Sequence, residues 1–215
     1  MKQKNEILMT IIIPSYNHQN YVEDCLKPFL DLGVNKEIFI IDDGSTDETP
    51  KVIKEFLENN KNQNINFIQK PNSGLVSSLN LGLEKAKGKY FYLIASDDIP
   101  KIEGIKKAVE YLEEYSNIDF FIGGGENFFD NGEKTKIYTQ KHNEFFNMQF
   151  EERYKKIFLD YPSPLLLQST IFKTDIIRKI GGWDTSIIWD DYPMFVKLLR
   201  NENIKFMFNP NIETV

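Results

Sequence analysis

The chain has 215 residues, of which 41% are hydrophobic and 27% charged, a balance typical of a globular domain with a sizeable core. The formal net charge of −6 argues against a free-standing nucleic-acid-binding protein, which normally carries a basic face. No apolar run reaches the ~18 residues that a membrane-spanning helix needs. Cys25 is the one cysteine, so no intramolecular disulfide can form, and a reducing cytoplasm is the expected setting.

The first part of the chain alternates strand-like and helix-like segments. Apolar β-branched runs predict buried strands, and apolar residues three or four positions apart predict the helices between them. Strands are predicted over 7–13, 37–41, 65–69, 90–95 and 119–122, with helices that begin near residues 22, 46, 75 and 101. This alternation predicts an α/β domain with a mostly parallel sheet and helices on both faces.

The pattern changes after residue 122. Residues 123–150 are rich in turn residues and aromatics without a clear period, and they predict strand and loop. Further on, helices are predicted over 151–159, 174–180 and 190–199, and strands over 169–173 and 204–208. The chain ends on NPNIETV without a predicted closing element. We therefore expect a single domain over 1–215 that is truncated at its C terminus.

Polar side chains follow the first four predicted strands, at the carboxyl edge where open parallel sheets bind ligands. They are Pro14, Ser15, Tyr16 and Asn17 after the first strand, Asp42 and Asp43 after the second, Lys70, Asn72 and Gly74 after the third, and Ser96, Asp97 and Asp98 after the fourth. Because these strand ends meet at one edge of the sheet, the side chains are predicted to converge there.

Two neighbouring carboxylates, Asp97 and Asp98, allow two interpretations. Their hard oxygen atoms suit Mn²⁺ or Mg²⁺, and one of them alone suits the cap of the helix that follows. No G-x-G-x-x-G follows the first strand, and no phosphate-loop or Cys/His zinc pattern is present. The two histidines, His18 and His142, are isolated in the sequence, and we expect them to be surface or turn residues rather than catalytic bases.

Four blocks in order resemble glycosyltransferase family 2, the inverting enzymes of GT-A fold. They read TIIIPSYNHQNYVEDCL, EIFIIDDGSTDETPKVI, KPNSGLVSSLNLGLEKAKGKYFYLIASDD and GGWDTSIIWDDYPMFVKLLR, and they cover roughly residues 8–200. The resemblance implies a Rossmann-like sheet with a nucleotide-sugar-binding half over 1–122 and an acceptor-side half over 123–215. It also implies transfer from a nucleotide-diphosphate donor, usually a UDP-sugar, to a glycan or lipid-linked acceptor.

The resemblance implies nucleotide-binding roles for seven residues. They are Pro14 and Tyr16 at the base pocket, Asp43 as the acceptor of the uracil N3–H, Asn72, Gly74 and Asn80 near the donor, and Asp97 in the third block. A carboxylate matches a ring imide donor, and glycine lets a backbone approach a ligand closely. Asp42, by contrast, is expected to end the strand and orient the loop.

The motif Ser96-Asp97-Asp98 takes the place of the family's metal motif, with Asp98 as the direct ligand of Mn²⁺ or Mg²⁺. The cation is expected to bridge the diphosphate and neutralise the leaving group. One position departs from the family pattern, because many relatives carry an aspartate where this chain has Ala95. Metal dependence is the property that this departure puts in question.

Asp190 and Asp191 resemble the family's acidic pair, whose second member is the general base. An inverting transfer needs a carboxylate opposite the leaving group to take the acceptor's proton, and we assign that catalytic role to Asp191 beside Asp190. The alternative is that both acids complement a helix N-terminus. Trp183 and Trp189 are each expected either to stack on an acceptor sugar or to lie in the core.

Two rival functions remain at this point. Ala95 and the abrupt C terminus suggest a nucleotide-sugar-binding scaffold domain without activity. A sugar nucleotidyltransferase is disfavoured because the segment PSYNHQN contains no glycine, lysine or arginine with which to grasp phosphates. Lipid-linked acceptors, which are frequent in the family, imply peripheral association with the inner face of the cell membrane.

Overall fold

A computed structural model describes residues 6–129 and 131–215, so the first five residues of the predicted domain lie outside the described part. Within it, seven strands form one central sheet in the order β3-β2-β1-β4-β8-β5-β9. The strands are β1 (Met9–Ser15), β2 (Lys36–Asp42), β3 (Ile65–Gln69), β4 (Tyr90–Leu93), β5 (Phe120–Gly124), β8 (Thr170–Lys173) and β9 (Phe206–Glu213). A separate hairpin pairs β6 (Glu126–Phe128) with β7 (Lys134–Lys136).

The central sheet is mostly parallel, as the sequence predicts. Strands β3, β2, β1 and β4 run parallel to one another, whereas β8 is antiparallel to both of its neighbours, β4 and β5. The last strand, β9, is again parallel to β5. The carboxyl ends of the four N-terminal strands therefore meet at one edge, where the predicted polar residues lie.

Helices cover both faces of the sheet. They are α1 (Val22–Leu26), α2 (Thr49–Asn59), α3 (Leu75–Lys85), α4 (Ile102–Glu114), α5 (Gln140–Asn147), α6 (Phe150–Leu159), α7 (Thr174–Lys179) and α8 (Asp191–Leu199), with 3-10 segments over Lys27–Asp31 and Leu167–Ser169. Among the described residues, none of the helices combines the length and apolarity that a bilayer crossing requires.

The core is built from strands that are buried along their whole length. Every residue of β1 is buried, and so is every residue of β4, which explains their uninterrupted apolar sequences. Each large aliphatic side chain buried in this way contributes about 1.5–3 kcal/mol. Helix α3 lies close to β1, because a Cβ at Gly82 would come within 2.7 Å of Ile12. This close contact fixes α3 and the loop before it against the sheet.

Three predicted boundaries differ from the structure. Strand β1 continues through Pro14 and Ser15, which were predicted to form a turn, because the carbonyl groups of both accept hydrogen bonds from neighbouring chain segments. Residues 140–147 form a helix where strand and loop were predicted. The predicted lack of a closing element is also wrong: β9 runs to Glu213 along β5, with an irregular register near Gly124 that periodicity does not reveal.

Candidate active site

Asp43 organises the loop that follows β3. The residue is only 6% exposed. Its Oδ1 accepts hydrogen bonds from Lys70 Nζ and from the Ser73 amide at 2.9 Å, and its Oδ2 accepts from the Gly74 amide at 2.8 Å. Lys70 is itself nearly buried, so the two side chains form an ion pair shielded from solvent. The carboxylate of Asp43 therefore already accepts hydrogen bonds from three donors. A nucleotide could contact Asp43 only through the acceptor capacity that remains.

Asp42 shapes the turn before α2. Its side chain is fully buried, and its Oδ2 accepts from the Ser45 amide at 3.2 Å. Its Oδ1 has no hydrogen-bond partner among the residues that the structure describes. Gly44 has a φ of +76°, and a Cβ there would lie 2.7 Å from the Asn72 amide nitrogen. Only glycine fits this contact between the two loops.

The loop after β1 is joined to the loop after β2 by reciprocal hydrogen bonds. They link Asn17 N to Ser45 Oγ (2.9 Å), Thr46 N to Asn17 Oδ1 (2.8 Å), Gln19 N to Asp47 Oδ2 (3.2 Å) and Glu48 N to Gln19 Oε1 (2.9 Å). Asn17, which takes part in two of these hydrogen bonds, has a positive φ of 56°. Of the two predicted base-pocket residues, Tyr16 is exposed at the edge and Pro14 is buried in β1.

The predicted donor-loop residues separate into two groups. Asn72 and Gly74 are exposed at the edge of the sheet, and Gly74 has a φ of +88° just before α3. Asn80 lies within α3, where its Oδ1 accepts from the Trp183 amide at 3.0 Å and its Nδ2 donates to the Trp183 carbonyl at 2.8 Å. The carboxamide of Asn80 therefore holds the GGW turn against α3.

Asp97 and Asp98 follow β4 on the same edge of the sheet as Asp42 and Asp43, from which the end of β1 separates them. Burial, and then the charge of Asp97, raise the pKa of Asp98 to about 6. Two close carboxylates with hard oxygens and an unfavourable shared charge fit a divalent cation. The described part of the chain has no cluster of three His, Cys, Asp or Glu side chains that could hold a metal ion. Such a cation would accordingly take its further ligands from phosphate oxygens and water.

Asp191 lies within electrostatic reach of Asp98 although it comes from the other half of the chain. Its Oδ1 accepts from the Leu167 amide at 2.7 Å. Burial first, then the charges of Asp190 and Asp98, raise the pKa of Asp191 to about 7. Burial likewise raises the pKa of Asp190. A carboxylate that ionises near neutral pH suits a general base.

Both acids stand at the start of α8, as the alternative that they complement a helix N-terminus requires. Within the described residues, Asp190 occupies the N-cap position but makes no side-chain capping hydrogen bond, and Asp191 bonds to Leu167 instead of to its own helix.

The two tryptophans lie in different environments. Trp183 is 5% exposed and packs against Phe91 with ring centroids 6.0 Å apart, so it belongs to the core. Trp189 is 69% exposed, next to Ile188 at 87%. It immediately precedes the acidic pair, which leaves Trp189 as the tryptophan that an acceptor can reach.

Of the two histidines, His142 differs from the expected surface or turn position, whereas His18 lies in a loop and is partly exposed. His142 is buried: its Nδ1 accepts from the Thr139 amide at 3.1 Å, and its Nε2 donates to the Pro164 carbonyl at 2.9 Å. Burial lowers its pKa. His18 lies in the loop after β1, and its Nδ1 is 2.8 Å from Ser96 Oγ and 3.6 Å from Asp97 Oδ1.

Sequence reasoning also assigned no role to Lys70, the buried partner of Asp43. The sequence offers one signal for these roles. Lys70 and His18 each follow a predicted strand at the carboxyl edge of the sheet. Neither forms a motif with the acids that it contacts.

Comparison with known proteins identifies the family. A family model for glycosyl transferase family 2 matches residues 10–174. An uncharacterized glycosyltransferase of Rickettsia prowazekii is 30% identical over 207 residues, which cover 93% of this chain and 61% of that protein. The chain thus spans about three fifths of the length of this curated relative.

Solved structures with the same fold include a nucleotide complex of S. aureus TarS and a mannosyltransferase. Residues 1–349 of S. aureus TarS, in a complex with UDP, superpose with a TM-score of 0.71 and 18% identity over 95% of this chain and 58% of that one. The mannosyltransferase PcManGT of Pyrobaculum calidifontis, in complex with GDP-Man and Mn²⁺, gives a TM-score of 0.70 and 18% identity over 97% and 56%. These likenesses confirm the predicted GT-A fold, and the family-model match over most of the chain shows that it belongs to glycosyltransferase family 2.

Proposed function

We propose that this chain is the catalytic domain of an inverting glycosyltransferase. It transfers a sugar from a nucleotide-diphosphate donor, a UDP-sugar, to a hydroxyl group of a glycan or lipid-linked acceptor. The observation that carries the proposal is that Asp98, at the end of β4, lies close enough to Asp191, at the start of α8, for its charge to raise the pKa of Asp191. An inverting displacement needs a charge-stabilising site for the leaving group and an opposed base. Family membership and the UDP and GDP-Man complexes of the structural neighbours support the donor class.

The donor side of the site is organised before any ligand binds. The Asp43–Lys70 ion pair and the bonds from Asp43 to the Ser73 and Gly74 amides hold the loop after β3 at the edge of the sheet. Tyr16 presents an exposed ring at the same edge, suited to a nucleotide base. We assign the uracil N3–H to the remaining acceptor capacity of Asp43.

Asp98, with Asp97 beside it, would hold the cation, Mn²⁺ or Mg²⁺. When bound, the cation supplies positive charge that stabilises the departing diphosphate. Ala95 leaves this motif one carboxylate short of many relatives, so we expect tight cation binding to require the nucleotide diphosphate as a second source of ligands.

Asp191 takes the proton of the acceptor. The hydroxyl oxygen attacks the anomeric carbon as the bond from that carbon to the diphosphate oxygen breaks, and the bonding electrons leave with the diphosphate. Because the Leu167 amide engages Oδ1 of Asp191, the carboxylate is held in one orientation and Oδ2 is available for the proton. This single displacement inverts the configuration of the sugar.

The acceptor is proposed to lie against the segment that contains Ile188 and Trp189. Both side chains are largely exposed and directly precede the base. An aromatic ring in this position can stack on the apolar face of a sugar. A lipid-linked acceptor would bring the domain to the inner face of the cell membrane, in the reducing cytoplasm that its single buried cysteine suits.

The direct test is transfer from a panel of UDP-, dTDP- and GDP-sugars with Mn²⁺, offered glycan and lipid-linked acceptors. We expect turnover with a UDP-sugar and inverted stereochemistry in the product. The Asp191→Asn variant should bind UDP as well as the natural protein does but transfer sugar at least about 100-fold more slowly. If the full-length natural protein binds UDP without turnover on any acceptor in the panel, the domain is a binding scaffold and the proposal is wrong.

A further inference from the structure

We infer that His18 is a positioning residue for the Ser96–Asp98 segment, referred to below as the metal loop. Its imidazole anchors the hydroxyl of Ser96 and thereby fixes the direction in which Asp97 and Asp98 leave the end of β4. The effect of His18 on cation and donor binding rests on the proposed function. Its effect on the order of the metal loop does not.

The anchor is a short chain of hydrogen bonds. His18 Nδ1 lies 2.8 Å from Ser96 Oγ, and Ser96 Oγ lies 2.9 Å from Ser15 Oγ. Both serines are almost completely buried. Buried hydroxyl groups need partners, and loss of one partner costs the desolvation energy of the other. His18 therefore terminates a buried polar chain that ties the end of β1 to the end of β4.

The backbone of His18 is itself held in place. Its carbonyl accepts hydrogen bonds from the amides of Tyr21 and Val22, both at 3.0 Å, at the start of α1. The preceding residue, Asn17, has a φ of 56°, and the His18 ring contacts Tyr21 edge to face. The imidazole is thus attached to a rigid corner, and a rigid corner can position a neighbouring loop.

The charge around the ring agrees with this placement. Nδ1 is 3.6 Å from Asp97 Oδ1, so the same nitrogen that contacts Ser96 also faces the first carboxylate of the metal loop. The metal loop has two backbone bonds of its own, from Ser96 N to the Pro14 carbonyl and from Asp98 N to the Ala95 carbonyl. These bonds hold the main chain of the metal loop, whereas His18 contacts the side chains of Ser96 and Asp97.

Two conservative variants separate positioning from direct ligand contact. In His18→Asn the amide group occupies the place of Nδ1, and in His18→Gln it occupies the place of Nε2. Positioning through Ser96 requires Nδ1, whereas contact with a ligand in the cleft would require Nε2. The matched pair therefore distinguishes the two roles at one position.

The first experiment is amide hydrogen exchange of the ligand-free protein. We expect His18→Leu and His18→Gln to speed exchange at Ser96 and Asp98 by about tenfold, the effect of losing roughly one hydrogen bond. His18→Asn should remain near the natural protein. Tyr21→Leu, which removes the other neighbour of the ring, is the control and should leave the metal loop unchanged.

The second experiment measures Mn²⁺ affinity by calorimetry in the presence of UDP. His18→Leu should weaken Mn²⁺ binding several-fold while His18→Asn restores it. Ser96→Ala should reproduce the loss, and the double variant should lose no more than the larger single change, because both remove the same contact.

Protection of the metal loop that survives His18→Leu would overturn the inference. So would an affinity that is retained by His18→Gln and lost in His18→Asn, since that pattern assigns the role to Nε2. If the natural protein binds neither UDP nor Mn²⁺, the proposed function fails, and the exchange data alone decide the role of His18.

Discussion

The loops over residues 42–48 and 70–74, which we assign to the donor, differ from the segment over residues 187–192, which we assign to the acceptor, in how their shielded aspartates are partnered. On the donor side, Asp43 has a buried lysine and two backbone amides as partners. On the acceptor side, Asp191 has one amide, and it faces the charges of Asp190 and Asp98. Asp43 thus has a positive partner and several hydrogen-bond donors, whereas Asp191 has one donor and two negative neighbours.

This difference suits Asp43 to holding a loop in place and Asp191 to accepting a proton. A carboxylate whose oxygens are hydrogen-bonded to several donors gives a loop one conformation, which suits a binding surface. A buried carboxylate with like charges beside it holds its proton more tightly, which suits a group that must accept a proton or a cation. The comparison predicts opposite responses when the two kinds of carboxylate are neutralised.

The largest effect is expected on the acceptor side. Asp191→Asn keeps the shape of the side chain but cannot accept a proton, so transfer should fall by about 100- to 10,000-fold. UDP affinity should change little. The melting temperature should stay the same or rise. Steady-state kinetics with a matched UDP titration checks this, and near-normal transfer in Asp191→Asn would remove Asp191 from the mechanism.

On the donor side, Asp43→Asn should destabilise the protein by about 3 kcal/mol, because the nearly buried Lys70 loses its counter-charge. UDP binding should fall with it, since the loop after β3 loosens. The matched control, Asp42→Asn, keeps an acceptor for the Ser45 amide and should cost much less in both measurements. Chemical denaturation and calorimetry test the pair. Equal losses in the two variants would contradict the different roles assigned to Asp42 and Asp43.

Asp98→Asn should stabilise the protein, in contrast to Asp43→Asn, when divalent cations are absent. The folded state raises the pKa of Asp98 to about 6, so the unfolded chain ionises first and stability falls as pH rises from about 4 through 6. At pH 8 the variant should therefore melt several degrees higher than the natural protein, corresponding to about 2 kcal/mol after allowance for partial exposure. The difference should vanish below pH 4. With UDP and Mn²⁺ the order should reverse, because the natural protein alone gains the cation. A variant that is less stable at pH 8 would count against this account of the cleft.

Asp190→Asn should shift the pH dependence of transfer. Asp191 must be ionised to act, so activity is lost as pH falls through its pKa of about 7, and the charge of Asp190 helps to raise that value. Removing this charge should move the acidic limb down by about half to one pH unit. A limb that stays in place would show that the charge of Asp190 does not raise the pKa of Asp191.

The smallest effect concerns the tryptophans. Trp189→Ala should raise the acceptor KM by about tenfold, the contribution of one stacking contact, without changing the melting temperature. Trp183→Ala should instead destabilise the fold, because Trp183 packs against Phe91 in the core. Acceptor titrations and thermal melts of both variants test this, and an unchanged acceptor KM in Trp189→Ala would move the acceptor elsewhere.

Much of the donor half could be predicted from the sequence because its signals are local. Apolar runs mark β1 to β4, and the acids that follow them must meet at one edge once the strands are parallel. Even the division between Asp42 and Asp43 begins with their places just inside and just outside β2. What sequence reasoning could not supply is the partner that each acid finds across the fold, such as Lys70 for Asp43.

The acceptor half was harder to predict because its structure depends on distant contacts. Helix α5 has no clear apolar period, and it is started by a Thr139–His142 interaction that is completed by the Pro164 carbonyl. Strand β9 contains Pro210 and ends opposite a register shift in β5, a pattern that resembles a loop. The raised pKa of Asp191 depends first on its burial and then on the charges of Asp190 and Asp98, and no local pattern reveals the burial or the position of Asp98.

One thermal-shift experiment tests the central claim most directly. The natural protein and Asp98→Asn are melted with UDP, dTDP and GDP sugars, each with and without Mn²⁺. The account predicts that a UDP-sugar stabilises the natural protein, that Mn²⁺ enlarges the shift, and that Asp98→Asn loses the Mn²⁺-dependent part. No shift with any nucleotide sugar, or an Mn²⁺ effect that persists in Asp98→Asn, would contradict it.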